Sequence, residues 1–353
     1  MIIRRLYILT LVFFVLFIHW AGISDAGSKK RKVILKMATN VPEGTSLSRF
    51  LNQDVYNGVL RVTDGEVTID WYHGGIMGDN RDWIAKMEID QLQGAGLDGS
   101  GVDLAFRDMG ILQLPFLFKD FDEVAYIKKR IRGKVDNGFG GNGYKMLMII
   151  DQSFDDIFSI KREVRTPDDF AKVKFVSYSG IVEREMFKAL GSSPIPLNVP
   201  EVVSSIRSGI CNGLACPSGW YVGSQLYTLG GYVTPSKMRY VLGSIVLSIK
   251  SWNRIPLKHH EPIVKVMRDL EPKVRQTLMD LNENSLKAMV KYGLNEVKLT
   301  SEELDVLKKR TRPVWDKLVG NVYPRELLDE ILGYLEEYRS KKTALNQKES
   351  SPL

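Results

Sequence analysis

A two-lobed α/β fold is what this sequence predicts, and three observations predict it. Strand and helix patterns alternate from Val33 onward, the 353-residue chain is longer than one hydrophobic core serves, and a long amphipathic helix follows that would reach across two lobes. A hydrophobic fraction of 44% with 26% charged residues places the chain among globular proteins. The net charge of +7, from 49 basic and 42 acidic residues, is too mild for a nucleic-acid binder.

The N-terminus sets the compartment. Arg4 and Arg5 precede an apolar run over residues 6–18, and Ser24-Asp25-Ala26 supplies small residues for cleavage. Residues 1–26 therefore read as a signal peptide of a secreted, periplasmic protein. A retained anchor is the rival, through extension over residues 19–23, but the apolar core is short for a bilayer span.

In the mature region, residues 33–38 read as a buried strand ending in the polar loop Thr39-Asn40-Val41-Pro42-Glu43-Gly44. A helix starts at Thr45 or Ser46, so Asn40 and Glu43 sit by a helix N-terminus, a common place to hold a ligand. Val67, Ile69 and Trp71 alternate with polar residues in a second strand, and a helix begins near Asp79. An acidic helix start follows at residues 120–123. Strands are expected at 144–150, 156–160, 172–176 and 240–248, with helices at 183–190 and 200–208 and mainly parallel sheets. From 259 to 292, Ile263, Met267, Leu270, Val274, Leu278 and Leu281 recur at helical spacing. Helices at 302–318 and 325–338 precede a polar stretch, 339–353, expected to be a disordered tail.

Catalytic signatures fail on context. Gly138-Phe139-Gly140-Gly141-Asn142-Gly143 matches the dinucleotide fingerprint, but a helix precedes it and a strand follows, the reverse of what pyrophosphate binding needs. It reads as a flexible turn. His259 and His260 are adjacent, point about 100° apart on a helix and do not converge on a metal. Cys211 and Cys216 are five apart, so an extended segment turns them to opposite faces; they read as buried or cleft-lining thiols, not a disulfide. No enzyme activity and no cofactor is expected.

Five blocks, in order, resemble the solute-binding subunit of tripartite ATP-independent periplasmic (TRAP) transporters, the DctP-like family. They are residues 37–45, Gly74-Gly75-Ile76-Met77-Gly78, Leu114-Pro115-Phe116-Leu117-Phe118 with Asp122-Glu123, residues 189–197 with Glu201, and residues 206–213. The resemblance implies a periplasmic-binding-protein-like α/β fold with a long spanning helix and C-terminal helices, closing on a solute that is delivered unchanged to a membrane permease. Lobe I is then residues 33–157 with about 238–258, lobe II 158–237 with about 290–338, and the spanning helix 259–292.

Where the family places a carboxylate-binding arginine, this chain has Val176 beside Phe175, and Asn212-Gly213 is followed by Leu214, Ala215 and Cys216. Phe154, Tyr178 and Trp220 lie near these positions. A hydrophobic or amphipathic ligand is the leading expectation, as in a branch of the family that lacks the arginine and can work beside a tetratricopeptide-repeat partner. One alternative is a receptor for an organic acid that uses Lys174 or Arg107 instead; another is a periplasmic protein-interaction or sensory module.

Overall fold

The computed structural model describes residues 32–349; the expected signal segment and residues 350–353 lie outside it. Strand β1 (Val33–Thr39) is followed by a helical run α1 over residues 46–62, which contains a π-helical stretch, Phe50–Val55. Thr45 caps α1, its hydroxyl accepting from Ser48 N at 3.2 Å. Next come β2 (Val67–Tyr72), α2 (Asn80–Glu88), β3 (Gly94–Leu97), α3 (Gly99–Ala105) and α4 (Phe121–Gly141). Asp79 starts α2, where the sequence predicts a helix to begin, and forms a capping box with Asp82.

The chain leaves lobe I along β4 (Tyr144–Phe154) and enters lobe II as β5 (Asp156–Ser159). Lobe II adds β6 (Val176–Ser177), α5 (Ile181–Ala189), β7 (Ile195–Pro196), α6 (Val199–Arg207), β8 (Gly213–Cys216), α7 (Ser218–Gly223) and β9 (Tyr232–Thr234). The return crossing is β10 (Tyr240–Ser248), followed by α8 (His260–Lys291), β11 (Asn295–Glu296), α9 (Ser301–Thr311), α10 (Pro313–Lys317) and α11 (Arg325–Glu349).

Two sheets carry the lobes, ordered β2-β1-β3-β10-β4 and β11-β9-β5-β8. They are mixed, not mainly parallel. β10 runs antiparallel to β3 and β4, and β5 antiparallel to β8 and β9, because the crossing strands enter and leave each lobe in opposite directions. At the crossing, Asp155 N donates to Arg239 O at 2.8 Å and Met238 N to Asp155 O at 3.3 Å, tying the two connectors together. Helix α8 spans both lobes: Ile263, Met267 and Val274 join the lobe I core, and Met289 joins a lobe II core.

Four further expectations change. The helix expected over 302–318 is broken at Pro313, which has no N–H to donate. The tail is helical to Glu349, held by Arg339 paired with Glu123 at 2.7 Å. Its preceding turns pack with lobe I, since Leu328, Ile331 and Leu335 sit in the core that holds Ile127 and Ile131 of α4. The glycine motif at 138–143 is helical through Gly141, with only Gly143 turning at φ 86°. Gly138 makes room there for the Phe106 ring, since a Cβ would lie 2.1 Å from the ring's present position. The strand expected at 172–176 shortens to β6, with Phe175 only bridging to Gly213.

Candidate functional site

Between the lobes lie two cavities that share Tyr178 and Val199 in their walls. One is a largely apolar chamber of about 350 Å³, reached by the loop after β1, the N-terminus of α3, the start of α6, α7 and the middle of α8. The other is a polar cleft of about 730 Å³, bounded by α2 and α3 of lobe I and by α5 and the loop before α6 of lobe II.

Of the residues expected at the site, the chamber brings together Asn40, Tyr178 and Trp220. Tyr178 stacks on Trp220 with ring centroids 5.8 Å apart at 18°, and its hydroxyl donates to Ala215 O at 3.0 Å. That bond anchors the ring to β8 and leaves the face of the pair as chamber wall. Burial pushes the Tyr178 hydroxyl well above its usual range, with Cys216 and Asp155 adding to the effect, so it stays a neutral donor.

The other expected residues lie elsewhere. Glu43 lines neither cavity. Phe154 packs on Phe121 at 5.0 Å within the lobe I core. Phe175 is fully buried between Phe170 and Phe187, with centroids 5.3 and 4.5 Å away. Val176 and Cys216 are both buried in a lobe II core, and Cys211 is buried too. Short strands explain the outcome: β6 and β8 are covered on both faces, so their side chains point into cores instead of the cleft. Burial raises the Cys216 thiol well above its ordinary value, with Asp155 and Asp156 contributing, which leaves it an inert thiol. Lys174 is exposed and lines neither cavity, whereas Arg107 lines the polar cleft.

Sequence reading missed Asp98, Gln152, Ser179, Val199 and Asn282 on the chamber wall. Asp98 had a legible signal, an N-cap aspartate in Asp98-Gly99-Ser100-Gly101, but without a strand pattern in 94–97 it was not connected to the cleft. It caps α3 by accepting from Ser100 N at 3.0 Å, and its second oxygen accepts from Asn40 at 2.9 Å and Asn80 at 2.8 Å. The remaining Asn40 oxygen has no hydrogen-bond partner. Asn282, in α8, accepts from Gly219 N at 2.8 Å and donates to Gln152 O at 3.0 Å, so the spanning helix pins both lobes at the chamber floor.

Charge divides the two cavities. No lysine or arginine lines the chamber among the described residues, and Asp98 is its only charged side chain. The polar cleft is lined by Arg81 and Arg107 from lobe I and by Arg184 from lobe II. Arg184 Nε is buried without a hydrogen-bond partner and lies 3.8 Å from Glu185 Oε1. Asp79 and Glu201, also lining the cleft, are occupied in helix caps. Asp103 is pushed well above the carboxylate range by burial, against the pull of Arg239. No group of His, Cys, Asp and Glu among the described residues is arranged to hold a metal, and no described helix is long and apolar enough to cross a membrane.

A family model described as DctP, bacterial extracellular solute-binding protein, family 7, matches residues 37–321. The C4-dicarboxylate-binding periplasmic protein DctP of Rhodobacter capsulatus is 22% identical over 291 residues, covering 81% of this chain and 85% of that protein. The sugar acid binding protein DctPAm of Advenella mimigardefordensis, in complex with galactonate, superposes with a TM-score of 0.81 at 17% identity, covering 87% of this chain and 99% of that one. A TRAP periplasmic solute binding protein of Sulfurospirillum deleyianum with bound succinate gives a TM-score of 0.78 at 19% identity, covering 85% and 98%.

Proposed function

Because this chain belongs to the bacterial extracellular solute-binding proteins of family 7, we propose that its cargo is an organic acid whose carboxylate meets the arginines of the polar cleft and whose apolar body enters the chamber beyond Tyr178. The chain is a TRAP-type periplasmic solute-binding subunit, a transport protein and not an enzyme. The permease is its implied partner. The observation that carries the reading is the convergence of Arg81, Arg107 and Arg184 from both lobes on one cleft. Arg81 and Arg107 hold no carboxylate at ion-pair distance among the described residues. An acid bridging them to Arg184 would favour the closed arrangement, since only that arrangement presents both sides. Succinate and galactonate, bound by the relatives above, support a carboxylate on the solute, where Val176 led first to the expectation of a hydrophobic or amphipathic ligand.

A panel of succinate, galactonate, octanoate and octanol, assayed by thermal shift, tests this. Octanoate is expected to raise the melting temperature most, and Arg107→Ala to abolish that rise. Saturation at a hundred times Kd corresponds to about 2.7 kcal/mol, a shift of several degrees. A response to octanol alone would instead favour a neutral amphipathic solute, the reading supported by the uncharged, apolar walls of the chamber apart from Asp98.

A further inference from the structure

Behind the wall shared by the two cavities, where the chain crosses between lobes, lies an ionic cluster distinct from the arginines of the cleft. Its centre is Arg239, fully buried on the connector between β9 and β10. Its Nη2 lies 2.6 Å from Asp155 Oδ2, on the other connector, and 3.6 Å from Glu183 Oε1 of α5 in lobe II. Its Nη1 donates to Gln113 Oε1 of lobe I at 2.8 Å and to Ser179 Oγ of lobe II at 3.1 Å. Gln113 in turn donates to Asp103 of α3 at 3.1 Å. Glu183 accepts from the backbone N–H of both Tyr178 and Ser179 at 2.8 Å, so the cluster also holds the chamber wall.

The charges do not balance. One guanidinium faces Asp155, Glu183 and, through Gln113, Asp103; Asp156 and the neutral Tyr178 and Cys216 flank them, Asp98 adds negative charge beside Asp103, and Arg107 and Lys237 act only from the periphery. Asp155 and Glu183, both fully buried, cannot both stay ionised beside Asp103 against one cation. We propose that this cluster is a proton-binding site at the crossing of the lobes, whose protonation favours the arrangement in which the lobes meet, so that solute capture is linked to proton uptake.

The direction of the titrating groups agrees. Burial raises Asp155 to about 6 against the pull of Arg239, and raises Glu183 to about 7 with Arg239 again opposing and Asp155 reinforcing. Parting the lobes would let water reach Glu183, which is fully buried in this arrangement, and return it toward its ordinary range. A carboxyl whose value is raised in the joined form favours that form fully at low pH. The advantage fades as pH rises from the ordinary carboxylate value toward the raised one, and is constant above it.

Fluorescence energy transfer between dyes on Ala85→Cys of α2 and Ser204→Cys of α6 tests the proposal in the purified protein without added solute; both positions are exposed and lie on opposite lobes. The native Cys211 and Cys216 are fully buried and do not compete for the dyes. The joined-to-parted ratio is expected to fall by up to about tenfold per pH unit per proton between about pH 4.5 and 7, then level off. Glu183→Gln, which keeps an oxygen for the two backbone donors, is expected to remove one proton's share of that slope; Asp155→Asn provides a second variant should the first fold poorly. Transfer efficiency that stays flat across this range in the parent protein would overturn the proposal, as would a Glu183→Gln titration identical to the parent's.

Discussion

Two buried ionic clusters meet the start of β10, one through Arg239 and the other through Tyr240, and they behave in opposite ways. Around Asp151, on β4, Lys128 lies 2.7 Å away and Arg275 of α8 also 2.7 Å, while the Tyr240 hydroxyl donates to the same carboxylate. Glu271 joins them to Arg132 at 3.0 Å. Burial alone would raise Asp151, but Lys128, Tyr240 and Arg275 more than offset it and hold the carboxyl below its ordinary range. Around Arg239 the ratio is inverted, with more carboxyls than cations, and Asp155 and Glu183 rise. Desolvation is common to both; the count of partners decides its outcome. The balanced cluster is a rivet between α8 and the lobe I sheet, and the unbalanced one leaves room for a proton.

Breaking each centre should separate the two roles. Arg239→Ala is expected to cost most, about 3–5 kcal/mol in urea unfolding at pH 7.5, because it strands buried carboxyls without a cation. The loss should shrink at pH 5, where those carboxyls take protons. Asp151→Asn should cost somewhat less, about 3 kcal/mol at pH 7.5, since Lys128 keeps a neutral oxygen as partner. For the parent protein, the Asp151 contribution is present above the ordinary aspartate value and lost as pH falls through its depressed one, so it disappears only in strong acid. Glu183→Gln is expected to be near neutral at pH 5 and stabilising by up to about 2 kcal/mol at pH 8, where it relieves an ionised excess; denaturation midpoints at the two pH values measure the sign. Smallest of all, Lys265→Ala should leave the midpoint unchanged, because its pair with Asp269 is exposed on both sides.

Elements with local signals were legible in the sequence. Strand β10 matches its predicted limits, α2 starts at the aspartate that caps it, and α8 follows its apolar spacing to within a residue. By contrast β3 was missed, because Gly94-Ala95-Gly96-Leu97 has no alternating pattern. Its small residues are set by tertiary approach: a Cβ at Gly94 would lie 2.3 Å from Val246 O of the crossing strand. At the site, Asn40, Tyr178 and Trp220 were legible as a loop residue and as aromatics beside the expected cleft. Phe154, Phe175 and Cys216 were equally plausible from sequence, since residue type does not reveal which faces of a sheet are covered.

The sequence by itself determined the family, the alternation of strands and helices, and the spanning helix, because caps, periodicity and ordered blocks are local properties of the chain. Only the tertiary structure decided where the charge resides. Asp155, Glu183 and Arg239 are far apart in sequence and meet because the chain crosses between lobes twice at one point. Arg81, Arg107 and Arg184 face one cleft for a related reason, that the lobes bring α2, the turn after α3 and α5 together across it. Electrostatic energy depends on distance through space and on burial, and neither is encoded in separation along the chain.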